Sequence, residues 1–208
     1  MKIHVLAKVW QERGWQLTGQ CQEHRLYRPA LGQSGPCLIA PLRAPAEVPV
    51  GIVQTTLRPA QSGPAQPNWV NALLEQPTLT IVLEKQGQYV WGRITMPGLI
   101  AVTYGACAGE VTRAFQALLP EFARSGGAAA GTGWAEPPLT FVHAHDVTAI
   151  GELFKQVKVN QLAGLAGIDW ELMNQYMTGR SHPDTNQAKQ IEAGLRELGQ
   201  QLLQFALV

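Results

Sequence analysis

Metal-assisted cleavage of a phosphodiester requires several carboxylates converging on one point, and this chain of 208 residues offers little that meets the requirement. Glu84 and Glu110 stand nearest the middle of a strand-rich stretch, and both read as solvated or helix-capping acids. His143 and His145 lie two apart, on one face of an expected strand, where Asp146 or Cys107 would have to complete a metal site. Packing or surface exposure is the better account of the pair. The glycines between Gly126 and Gly133 lack both the following Lys-Ser and the strand-to-helix setting of a phosphate loop. Cys21, Cys37 and Cys107 are odd in number with no C-x-x-C pair, which argues against a disulfide framework or a zinc knuckle and suits a reducing cytoplasm. No nucleophilic triad can be assembled. The expectation is a protein that is not an enzyme and uses neither cofactor nor metal.

Side chains suited to a different chemistry, the recognition of base edges, cluster towards the end of the chain. In the stretch after Asp169, Met173 and Tyr176 fall on one side of a helix, leaving Trp170, Glu171, Asn174, Gln175 and Thr178 on the other. Asn and Gln can pair bidentately with adenine, whereas Glu171 can accept from cytosine but repels phosphate, and it reads as a solvated bystander. Arg180, His182, Lys158 and Lys189 sit at helix ends where phosphates could pass. Asn160 opens a helix whose first N–H groups are open to an anion.

The elements that must position these groups follow from the pattern around them. Asp146 caps a helix to about Val157, Asn160 opens a second to Ala166, Gly167 makes the left-handed turn, and Asp169 caps a third that ends at Gly179. Small Ala163 lets two helices approach, and Ile168, Met173 and Tyr176 bury the third, which is the logic of a helix-turn-helix. A last helix from Asp184 to Phe205 carries a stripe of Ala188, Ile191, Leu195, Leu198, Leu202 and Leu203, for packing on this unit or on a second copy. Before it, Leu79 to Lys85, Tyr89 to Thr95 and Leu99 to Gly105 read as an antiparallel meander with turns at Gln86-Gly87 and Pro97-Gly98. Ala108 to Ala123 reads as an amphipathic helix, and Leu139 to His145 as a fourth strand. A short helix from Asn68 to Glu75 precedes the meander.

The first part of the chain is less orderly. Ile3 to Val9 alternates like a strand and pairs with Trp15 to Cys21 as an expected hairpin. Prolines from Pro29 to Pro67 then exclude long helices and central strands. Lys2 to Lys8 and Leu79 to Lys85 look alike, which raises a partial internal repeat, although strands of period two resemble one another by composition alone.

Sixteen basic and fifteen acidic side chains leave a formal net charge of +1, which neither supports nor excludes a polyanionic partner. The distribution is uneven. Residues 1 to 70 hold seven basic and three acidic groups, residues 146 to 208 five and seven. Any affinity of the C-terminal part for DNA therefore comes with a thin basic rim and a shallow salt dependence. Lys8 interrupts what would be the apolar core of a signal peptide, and no uncharged run is long enough to span a membrane, so a cytoplasmic protein is expected.

Residues 78 to 208 resemble HicB-type antitoxin-like regulators. The likeness rests on Tyr89-Val-Trp-Gly-Arg-Ile-Thr-Met-Pro-Gly-Leu with Tyr104-Gly105 and Glu110, and on Leu162-Ala-Gly-Leu-Ala-Gly-Ile, Leu172-Met-Asn-Gln-Tyr, Gly179-Arg-Ser-His-Pro and Gln187-Ala-Lys-Gln-Ile-Glu. The chain departs at Asn174, where such sequences tend to hold a basic residue, and residues 1 to 76 have no counterpart. The resemblance implies a partial RNase-H-like sheet domain that covers a small ribonuclease toxin, and a domain that binds double-stranded DNA and represses its own operon. The expected organisation is α+β: an N-terminal extension over 1–76 with a hairpin and a Pro-rich segment, a β-β-β-α-β sheet domain over 78–145, and an all-α helix-turn-helix domain over 146–208. A homodimer on an inverted repeat is expected.

Overall fold

In a computed structural model, the structure describes residues 1–30, 35–57, 69–76, 78–125, 138–148, 150 and 159–203. The chain divides into two compact units, Met1–Val142 and His143–Val208. It is an α+β protein with a seven-stranded mixed sheet and, among the described residues, seven helices. None of these helices is long and apolar enough to cross a membrane.

The first unit begins with helix α1 (Ile3–Glu12), followed by β1 (Trp15–Cys21), β2 (His24–Pro29) and β3 (Cys37–Pro41). Helices α2 (Val50–Leu57) and α3 (Trp69–Glu75) lead to a second meander of β4 (Thr78–Gln86), β5 (Tyr89–Met96) and β6 (Leu99–Gly105). Helix α4 (Ala108–Ser125) then precedes β7 (Thr140–His145), which carries the chain into the second unit. The strand order is β1-β2-β3-β6-β5-β4-β7. The expected strands at 79–85, 89–95, 99–105 and 139–145, and the helix from Ala108, appear with small changes of boundary.

Two expectations for residues 1 to 76 are overturned. Ile3 to Val9 is helical, because Ile3, Leu6 and Trp10 bury one face at three- and four-residue steps while Val5 of the alternating set is exposed. Trp10 decides between the periods: it is fully buried and meets Tyr27 edge-on at 5.6 Å. The hairpin is formed instead by Trp15–Cys21 and His24–Pro29, and the likeness of Lys2–Lys8 to Leu79–Lys85 sets a helix beside a strand, so it is no repeat of structure. The proline-rich stretch also contains a central strand. Pro36 precedes Cys37–Pro41 and Pro41 closes it, so Leu38, Ile39 and Ala40 keep a free N–H for the ladder and are buried on both faces of the sheet. The helix expected from Asn68 is α3, and Asn68 itself lies outside the described residues.

β3 joins the two meanders. It runs antiparallel to β2 on one side and parallel to β6 on the other, with Cys37, Leu38 and Ile39 opposite Leu99, Ile100 and Ala101. Each face of the joined sheet carries its own core. On one face α3 and α4 press Trp69, Leu73, Phe115, Leu119 and Phe122 onto Leu26, Ile39, Ile81 and Ala101. On the other, α1 and α2 place Leu6, Trp10 and Ile52 against Tyr27, Leu38, Trp91 and Val102. Gly92 permits the first contact: a Cβ there would lie 2.4 Å from Val111 Cγ1 on α4.

Two polar groups reach from one half of this unit to the other. Glu84 of β4 is buried, not solvated as its sequence setting suggested, and its Oε1 lies 3.5 Å from the Gly51 N–H in the first turn of α2. His24 of β2 shares a 3.1 Å hydrogen bond between Nε2 and the hydroxyl of Thr103, itself a buried residue of β6. Burial pushes the His24 pKa down to about 4. The unfolded chain takes up this proton near pH 6.5 and the folded chain does not, so the contribution is complete above pH 6.5 and is lost as the pH falls towards 4. Between pH 7 and 4.5 the parent protein should therefore lose about 2 to 3 kcal/mol more stability than His24→Gln. Urea midpoints of both proteins at the two pH values test this, and parallel losses refute it.

Candidate nucleic-acid interface

The second unit holds the groups suited to base recognition. Its described helices are α5 (Val159–Ala166), α6 (Trp170–Met177) and α7 (Thr185–Leu203). The helix expected from Asp146 to Val157 falls largely outside the described residues. Asp146 itself is described: its Oδ1 accepts from the Thr148 N–H at 2.9 Å and from the Thr148 hydroxyl at 2.6 Å.

Local chemistry sets the angle between α5 and α6. Gly167 takes φ +64, the left-handed conformation that ends α5, and the Ile168 N–H closes the turn on the Ala163 carbonyl. Asp169 then starts α6, its Oδ1 accepting from the N–H groups of Glu171 at 2.9 Å and Leu172 at 3.2 Å. Gly179, at φ +68, ends it. Leu162, Ala163, Ala166, Met173, Tyr176, Met177 and Ile191 form the shared core. Ile168, expected to be buried, is half-buried and packs against that core.

Two positioning features escaped the sequence analysis. Asp184 and Gln187 form a reciprocal cap on α7: Asp184 Oδ1 accepts from the Asn186 and Gln187 N–H groups, both at 2.8 Å, and Gln187 Oε1 accepts from the Asp184 N–H at 3.0 Å. The Tyr176 hydroxyl donates to the same Gln187 oxygen at 2.9 Å, tying α6 to the start of α7. Burial, and then the nearby Asp184 carboxylate, raise the Tyr176 pKa, so the phenol stays a donor. The signal was the Asp-x-x-Gln spacing at 184–187. The second feature is Gly194, where a Cβ would stand 3.0 Å from the Ala166 backbone nitrogen; α7 crosses α5 there at close range.

Trp170, Glu171, Asn174 and Thr178 are exposed on α6, and Trp170 keeps 57% of its surface open to solvent. Gln175, expected among them, is half-buried, and its carbonyl accepts from the Arg180 N–H where the helix ends. Arg180 and Lys189 are exposed, His182 is half-buried, and Lys158 lies outside the described residues. Asn160 is exposed but sits inside the first turn of α5, which begins at Val159. The stripe on α7 holds at Ile191 and Leu198, whereas Leu203 is 88% exposed.

The chemistry set aside earlier has other employment. His145 donates its backbone N–H to the Pro183 carbonyl at 2.9 Å, and its ring Nε2 lies 3.4 Å from the Thr185 hydroxyl. Burial, and then His143, lower its pKa. Glu110 caps, its Oε2 accepting from the Ala106 N–H at 2.8 Å. Among the described residues no group of three or more His, Cys, Asp or Glu side chains is arranged to hold a metal ion. Compared with family models, with curated proteins and with solved structures, the chain finds no match.

Because Asp169 alone caps α6 through its side chain, Asp169→Ala should lower the stability of this unit by about 1 kcal/mol. Native-state hydrogen exchange of the α6 amides measures it, and a change within about 0.3 kcal/mol of zero contradicts the assigned cap.

Proposed function

We propose that the chain is a sequence-specific regulator that binds double-stranded DNA, a HicB-type antitoxin-like protein acting without cofactor in the cytoplasm and repressing its own operon. One observation carries the proposal. α6 seats Met173, Tyr176 and Met177 in the core and turns Trp170, Glu171, Asn174 and Thr178 outward, so one helix is both anchored and available to a major groove. Asn174 is the principal reader of adenine, with the partly covered Gln175 assisting and Trp170 and Thr178 contacting groove atoms. Glu171 faces solvent. Arg180, Lys189 and the first turn of α5 at Asn160 touch phosphates, and the protein works as a homodimer on an inverted repeat because one thinly basic half-site gives little affinity alone.

Selection of bound sequences from a random duplex pool, performed on the full chain at low salt, tests the proposal. An inverted repeat related to the chain's own promoter is expected. Asn174→Ala should lower preference for it by about tenfold or more, while Lys189→Gln should weaken all duplexes alike and reduce the salt slope by about one. A pool that emerges without sequence preference refutes the reading.

A second reading is favoured by one feature of the sheet. In it the β-β-β-α-β half covers a small ribonuclease toxin, and the second unit serves mainly to dimerise. In this chain the β6 edge and the face bearing Trp91, Ile100 and Val102 are occupied by residues 1–57, an α-β-β-β-α segment drawn from the most basic part of the chain. The covered partner is then the chain's own first half. Thr103→Arg, which forces His24 off β6, should make induced expression of the full chain arrest growth of the host with loss of cellular RNA. Unchanged growth at equal soluble yield counts against this second reading.

A further inference from the structure

A cavity of about 730 Å³ opens in the first unit between the start of α1, strand β2 and the loop after β3. The size is that of a site for a small organic ligand. Lys2 and His4 line it from α1, Arg25 from β2 and Arg43 from the loop. Among the described residues the single acidic wall residue is Glu47, and its carboxylate already lies 3.5 Å from the Met1 ammonium. Three permanent positive charges therefore face one cavity in a chain whose whole formal charge is only +1.

Arg25 is what separates this cavity from a merely basic patch. It is half-buried on the sheet, opposite Ala40 of β3, with its Nε shut off from solvent and without a hydrogen-bond partner among the described residues. With Nε out of reach of a ligand, the terminal nitrogens of a guanidinium held in place by its stem are the pair that would meet a tetrahedral anion bidentately. The start of α1 adds to the same field. Lys2 occupies the N-cap position without a side-chain hydrogen bond, and the first turn contains no acidic residue. A lysine at that position opposes the helix dipole, an arrangement that an anion would offset.

We propose that this cavity binds a phosphomonoester, with Arg25 as the anchoring contact, Arg43 and Lys2 closing over the anion, and the apolar remainder of the cavity taking the group that bears it. The volume suits a mononucleotide. A phosphate ester of this kind carries close to two negative charges at neutral pH, which matches three cations better than a diester would. Two sources supply the chemistry, a free nucleotide and the phosphorylated end of an RNA strand.

Calorimetric titration of the full chain with adenosine 5′-monophosphate, with adenosine, and with a short single-stranded RNA bearing either a 5′-phosphate or a 5′-hydroxyl distinguishes them. Binding of the nucleotide but not of adenosine is expected, and Arg25→Gln should weaken it by about tenfold or more. Arg43→Gln, on the exposed loop, should weaken it in the same direction and guards against loss of folding in the first variant. Binding confined to the 5′-phosphorylated RNA, with the same losses in both variants, supports the site and assigns the strand end as its source. Absence of binding for both phosphorylated probes at millimolar concentration overturns the proposal, as does binding that neither variant alters.

Discussion

The parallel pairing of β3 with β6 is the constraint on which the first unit depends. Each meander alone has an edge with open N–H and C=O groups and faces too narrow to bury the helices that cross them. Joining Cys37–Ile39 to Leu99–Ala101 removes both edges at once and produces a sheet wide enough for a core on each side. Leu38 and Ile39, adjacent in sequence, then serve opposite cores, as period-two geometry demands of a strand covered on both faces. The contacts that accompany the junction are of a kind that fails if it opens. Glu84 would lose the amide that faces it at the start of α2, and His24 its place beside Thr103.

The second unit relies on close backbone approach. Ala166 on α5 and Gly194 on α7 have little or no side chain where the helices cross, so the two backbones come close to van der Waals contact. That leaves α6 to fill the remaining side with Met173, Tyr176 and Met177 while its other face stays in solvent. Tyr176 does more than pack: through Gln187 it links the end of α6 to the cap of α7, so the orientation of the exposed residues is set by hydrogen bonds as well as by the core. The linkage fixes the direction of α6 without help from any partner.

The unequal charge of the two units sets the physical limits on function. The exposed face of α6 stands in a part of the chain with more acid than base, so charge there offers little attraction to a polyanion. The basic excess lies in residues 1 to 70, where part of it lines a cavity.

Local patterns were enough wherever a segment's conformation is decided within its own length. The meander of residues 78–105, the stripe on α4, the left-handed Gly167 and the Asp169 cap are all legible in sequence, because turn residues, caps and periodicity act over a few positions. Residues 1 to 57 were not legible in this way. Ile3 to Trp10 satisfies both the helical and the extended period, and the choice falls to Tyr27 and Leu38, which bury Trp10 and are distant in sequence. The proline-rich stretch hides a strand for the same reason, since Cys37–Pro41 is too short to announce itself and is held there only by β2 and β6. The sequence by itself determined the elements of residues 78–125 and most of the exposed face of α6; the tertiary structure alone decided the conformation of Ile3–Glu12 and Cys37–Pro41, that the two meanders form one sheet and that Arg25 and Arg43 share a cavity, because pairing and burial depend on neighbours that no local pattern encodes.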